Sequence, residues 1–212
     1  MPITGQQIQD QYYNYKKEHS DSSFIEAWHA AKRHFRGEWT VGDGDFEQSW
    51  KSASGGAFEE IVISRVLILL KTDFPNVVAK RQAAMTTEEK AELHAKKWRK
   101  CANAYAEITN RPDIVIFKDG RPKVILSCKS SLRDRVSIDL FWAGVYQEKN
   151  IKFVVVSAES NLATHDKPNT HRTIAECVYE RLYIVNGDTD YCDVIRPFSE
   201  MELKSDLAKW LS

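Results

Sequence analysis

The sequence predicts an α/β fold, a mixed central β-sheet flanked by helices, and three observations carry that expectation. Apolar residues recur at helical spacing through the first half of the chain. Short β-branched runs follow between Ile114 and Ser157, and helix-like and strand-like segments alternate from there to the C-terminus.

Taken in order, Gly5 to Arg36 is polar with aromatics at helical spacing (Tyr12, Tyr15, then Phe24, Trp28, Phe35), which predicts two amphipathic helices forming an arm. Residues 37–56, with Gly37, Gly42, Gly44, Gly55 and Gly56, read as a loop. Ala57 to about Lys71 reads as a helix with Phe58, Val62, Val66 and Leu69 on one stripe. Pro75 ends it, and Val77 to Arg81 fits a short strand. Thr86-Thr87-Glu88-Glu89 then caps a long helix expected to reach about Ala106 and to carry the basic stretch Lys96, Lys97, Arg99 and Lys100. Strands are expected at Ile114–Phe117, Lys123–Cys128, Phe153–Ser157 and Tyr183–Val185, with a turn at Lys118-Asp119-Gly120. Helices are expected at Ile138–Glu148, Thr170–Glu180 and about Glu200–Leu211.

With 212 residues and 42% of them hydrophobic, the chain suits one sizeable core and a single domain, residues 1–50 forming the arm and 51–212 the core. Lys plus Arg and Asp plus Glu both number 30, so any affinity for nucleic acid must rest on a local basic patch. Cys101, Cys128, Cys177 and Cys192 form no CxxC pair or zinc-like spacing, and no apolar leader opens the chain, so a reducing cytoplasmic setting is expected. The longest apolar run, Ile61 to Leu70, is broken by Ser64 and Arg65, too short to span a bilayer. No phosphate-cradling glycine motif is present, which argues against a nucleotide cofactor, and the six histidines show no metal-ligand spacing.

Asp113 opens one strand and Lys129 ends the next, so a hairpin turning at Asp119-Gly120 brings the two side by side. Phosphodiester hydrolysis needs that pairing: a carboxylate to hold a divalent metal, and a cation near the attacking water and the phosphate. So sparse a site suits Mg²⁺, which keeps several of its own waters. In strand alternation Ser127 and Lys129 share one side and Cys128 faces the other, toward a core.

Pro112-Asp113, a short hairpin and the Lys129 end of the second strand resemble the core of the PD-(D/E)XK nucleases, with Ser127 standing where the usual pattern has Asp or Glu. Ser127-Cys128-Lys129 is similar, letter for letter, to the strand of one subgroup of type II restriction endonucleases. That subgroup includes EcoRII and NgoMIV and cuts CCGG or CCNGG-type sites. The resemblance covers residues 112–135 and implies a restriction-endonuclease-like fold, Mg²⁺-dependent cutting of double-stranded DNA, and a nuclease core in residues 51–212.

It further implies that the missing carboxylate comes from a later helix, where Asp139 is favoured over Glu148, and that a glutamate precedes the core, where Gly55-Gly56-Ala57-Phe58-Glu59-Glu60 favours Glu59 over Glu60. Asp113, Glu59 and the Cys128 carbonyl would hold the metal, and Lys129 would orient the water. A helix cap serves equally for Asp139, and an acidic first turn for Glu59 and Glu60. Arg133, Asp134 and Arg135 would read bases, Arg pairing with guanine and Asp with cytosine N4, so a G/C-containing site is expected. Alone, that cluster fits a surface ion-pair group worth less than about 1 kcal/mol per pair. Cutting both strands of a palindrome calls for two active sites on a twofold axis, hence a homodimer on DNA. The rival readings are a structure-specific repair or recombination nuclease and, given Ser127, a catalytically inactive DNA-binding module.

Overall fold

The first helix begins where Thr4 and Gln7 cap each other, the Thr4 hydroxyl accepting from the Gln7 N–H and the Gln7 side chain from the Thr4 N–H. The structure, a computed structural model, describes residues 3–93, 98–99, 105–106, 112–129, 132, 136–159, 162–164, 166–186 and 190–212. Helix α1 spans Gly5–Glu18, and α2 spans Phe24–Glu38 behind a second capping box of Ser23 and Glu26. α1 packs on α3, Phe46–Asp73, and α2 meets it through Trp28, whose ring lies against Trp50 and Phe58. Gly5 permits the close approach of α1 to α3, because a Cβ there would sit 3.3 Å from the Ala53 carbonyl oxygen.

α3 corrects the expected loop. It is helical from Phe46, capped by the Asp45 side chain on the Gln48 N–H, and it runs through Gly55 and Gly56. Phe46, Trp50, Ser54, Ala57 and Phe58 form a buried stripe, with Trp50 against Trp28 at a ring separation of 5.5 Å. That packing outweighs the roughly 1 kcal/mol that each helical glycine costs. The arm–core boundary expected at residue 50 thus falls inside a helix.

The remaining elements are β1 (Val77–Lys80), α4 (Thr87–Leu93), β2 (Trp98–Arg99), β3 (Tyr105–Ala106), β4 (Ile114–Lys118), β5 (Arg121–Lys129), α5 (Val136–Glu148), β6 (Lys152–Glu159), α6 (Thr170–Val178), β7 (Arg181–Asn186), β8 (Ile195–Pro197) and α7 (Glu200–Trp210). The long helix expected from Thr86 to about Ala106 is a second correction: α4 spans Thr87–Leu93, and β2 pairs antiparallel with β3. Each of these two short strands carries an aromatic residue, Trp98 and Tyr105, a type that favours strands. Lys96, Lys97 and Lys100 lie outside the described residues.

The main sheet has the order β1-β4-β5-β6-β7-β8. The β1–β4 and β4–β5 pairs are antiparallel and the rest parallel. The start of β4 and the ends of β1, β5, β6, β7 and β8 therefore share one edge of the sheet. Alternating residues feed two cores. Ile114, Leu126, Cys128 and Val154 pack under α1, α2, α3 and α7, while Val115, Ile125 and Val155 pack under α5 and α6. β8, a three-residue edge strand, has no counterpart in the sequence expectations. No described helix is long and apolar enough to cross a membrane.

Candidate active site

The hairpin that builds the site turns on Asp119 (φ 53°) and Gly120 (φ 73°), two consecutive left-handed residues whose twist matches paired strands. Pairing starts at Lys118 with Arg121, shifts by a bulge at Ile116/Phe117, and reaches Ile114 with Leu126. The next rung sets Asp113 against Ser127. Asp113 Oδ2 accepts the Cys128 N–H at 2.6 Å and the Ser127 hydroxyl at 3.2 Å. A carboxylate held by two donors, one of them main chain, has a fixed direction. Ser127 is 6% exposed, so its hydroxyl serves Asp113 rather than solvent.

The Cys128 side chain is buried in the core beneath α3. Burial, reinforced by the charges of Asp113 and Glu59, pushes its thiol well up. A thiol kept protonated is a poor metal ligand, which leaves the oxygens of this segment as donors. Lys129 ends β5, half-buried, in register with Ser157 of β6.

Glu59 reaches the same place from α3. Burial raises its carboxyl above the usual glutamate range, the charges of Asp113 and Glu60 raise it further, and Arg81 and Lys129 oppose the rise. Glu59 thus feels the charges of Asp113 and Lys129, both far from it in sequence. Glu60, the next residue on α3, turns to Arg81 in a two-pronged ion pair, with Nη1 to Oε1 at 2.5 Å and Nη2 to Oε2 at 2.6 Å. Arg81 immediately follows β1 at the same sheet edge. Sequence reasoning placed Arg81 at a strand end but gave it no role; only the pairing of β1 beside β4 reveals its position.

Asp139 stands in the first turn of α5, 6% exposed, and accepts the Tyr179 hydroxyl at 3.0 Å. Glu148 lies at the other end of α5, roughly 14 Å along the helix axis. Arg133, Asp134 and Arg135, in the segment between β5 and α5, lie outside the described residues.

Hard oxygen donors with a lysine close by suit a small divalent cation that retains its waters. Among the described residues no group of three or more His, Cys, Asp or Glu side chains is arranged to hold a metal.

The architecture is a restriction-endonuclease-like α/β fold. Among solved structures the chain is similar to restriction endonuclease AgeI in its specific complex with DNA, with a TM-score of 0.65 and 18% identity over 97% of this chain and 84% of that one. It is also similar to restriction endonuclease BsaWI in a pre-specific DNA complex, with a TM-score of 0.45 and 17% identity over 95% and 80% of the two chains. Residues 104–204 match the family described as BsaWI restriction endonuclease type 2, a segment that includes Asp113, Lys129 and Asp139 but not Glu59 or Arg81. No curated protein sequence matches the chain.

Proposed function

We propose that the chain is a type II restriction endonuclease, a site-specific deoxyribonuclease that hydrolyses double-stranded DNA at a short G/C-containing palindrome with Mg²⁺. The observation that carries this reading is the fixed Asp113 carboxylate, tied to Cys128 N–H and Ser127 at the edge where Glu59 and Lys129 converge. The family match over residues 104–204 and the AgeI-like fold support it.

Asp113 and Glu59, with the Cys128 carbonyl, would hold the metal. When bound, Mg²⁺ neutralises charge developing on the phosphate and makes its water more acidic. The chain's own residues do the rest. The Cys128 N–H and the Ser127 hydroxyl keep Asp113 from turning away, and Lys129 places its ammonium by the scissile phosphate to orient the attacking water. The resemblance assigns to Asp139 the carboxylate absent at position 127; in the structure its carboxylate accepts the Tyr179 hydroxyl. Arg133, Asp134 and Arg135, four to six residues beyond Lys129, read the base edges as the EcoRII/NgoMIV subgroup does. Two copies related by a twofold axis present two such sites to one palindrome.

The test is incubation of the purified protein with unmethylated plasmid and phage DNA, with Mg²⁺ or with EDTA, followed by sequencing of product ends. Mg²⁺-dependent fragments sharing one short palindrome are expected. Cleavage without a shared sequence would move the assignment to a structure-specific nuclease, and no cleavage to a binding module.

A further inference from the structure

Arg81 leaves the end of β1, and the β1–β4 register, Lys80 against Val115, brings it level with Ile114, next to Asp113. Its guanidinium takes both oxygens of Glu60. The two side chains are 42% and 40% exposed, so water screens the pair, while its two-pronged geometry holds both ends in a fixed direction. Its neighbourhood gives that geometry a consequence beyond stability. Glu59 and Glu60 are consecutive on α3, and both have the chemistry to bind a cation.

We infer that Arg81 is a positioning residue of the metal site: by occupying both oxygens of Glu60 it leaves Glu59 as the α3 carboxylate that meets Asp113. The inference rests on the nuclease reading and deepens it. Without Arg81, Glu60 is released and the site becomes more negative. It then attracts a divalent cation more strongly, but into the wrong ligand set.

The test compares the wild type with Arg81→Ala, Glu60→Gln and the double variant. Mn²⁺ binding is measured by calorimetry without DNA, and cleavage is measured in Mg²⁺. Arg81→Ala should bind Mn²⁺ about 3–10-fold tighter, from the added negative charge. It should nonetheless cut roughly a hundredfold slower, from ligand misplacement of about 1 Å. The double variant should return both quantities to within about threefold of wild type, because the two residues act as a pair. Glu60→Gln alone should stay close to wild type in cleavage. These opposite movements separate positioning from mere damage, which would weaken both properties. Weaker Mn²⁺ binding in Arg81→Ala, wild-type cleavage by it, or a double variant as slow as the single would overturn the inference. Should Arg81→Ala fail to fold, Arg81→Lys keeps the charge without the fork, and wild-type rates from it would equally overturn the role. A wild type that binds Mn²⁺ yet cuts no DNA refutes the nuclease reading, and the Mn²⁺ comparison still judges Arg81 by itself.

Discussion

Asp113 Oδ2 accepts two hydrogen bonds, and the same carboxylate is the proposed metal holder; paired substitutions can pull the two roles apart. In Asp113→Ala the N–H of buried Cys128 loses its acceptor. An unsatisfied buried donor costs about 1–3 kcal/mol, and a chain of this size shifts by about 2–4 °C per kcal/mol. A Tm fall of about 2–12 °C follows. Asp113→Asn keeps an oxygen acceptor. It gives up the charge assistance but relieves the repulsion with Glu59, so its metal-free stability should stay within about 1 kcal/mol of wild type. Both variants should lose Mg²⁺-dependent cleavage by at least about a thousandfold, the scale of a lost electrostatic catalyst. Both should also lose the stabilisation by Mg²⁺, which at a hundred times Kd is about 2.7 kcal/mol for the wild type. Thermal melts in EDTA and in Mg²⁺, run beside a plasmid-cutting assay, read all of this. Equal metal-free stability of the alanine and asparagine variants would refute the hydrogen-bonding account. Cleavage at the wild-type rate by either would refute the assignment of Asp113.

Lys129→Ala should abolish cleavage while leaving sequence-specific binding, measured by gel shift in Ca²⁺, within about threefold of wild type; a binding loss matching the cleavage loss would make Lys129 an anchor for DNA instead. Glu59 carries a pH signature. Its folded carboxyl lies above the ordinary value, from burial first and then the Asp113 and Glu60 charges, so the folded state disfavours the ionised form. Stability is thus lost as pH rises from the ordinary carboxylate range through the raised one. Glu59→Gln should therefore raise the metal-free Tm at neutral pH, the gain disappearing in acid below that range; a gain that persists there contradicts the account. Asp139→Asn should cut at least about tenfold slower than wild type with its Tm within a few degrees. A large Tm loss with cleavage retained would make Asp139 a structural partner of Tyr179 alone.

The hairpin under the proposed site was legible in the sequence because it rests on local chemistry. Asp119-Gly120 is turn chemistry, the flanking β-branched runs are strands, and the two together set Asp113 beside Ser127-Cys128-Lys129 before any coordinates. The failures have one physical origin, tertiary packing overriding local preference. Five glycines in twenty residues signal a loop, yet the aromatic stripe of Phe46, Trp50 and Phe58 carries α3 through the last two of them. Neither the Arg81–Glu60 pairing nor the Tyr179–Asp139 hydrogen bond leaves a local mark. Each joins residues 21 or 40 positions apart across a sheet order that periodicity does not encode.

The unbroken course of α3 has a mechanical consequence. Trp50 is seated among Trp28, Phe35 and Phe46, and Glu59 lies nine residues further along the same rod, roughly 14 Å. A tilt of about 5° about that aromatic seat swings Glu59 by about 1 Å, enough by itself to slow catalysis about a hundredfold. The N-terminal helices thus behave as a mounting that keeps an instrument aligned. A shortened chain starting near residue 51 would lose that mounting together with the part of the core that Ile8, Tyr12, Phe24, Trp28 and Trp50 supply.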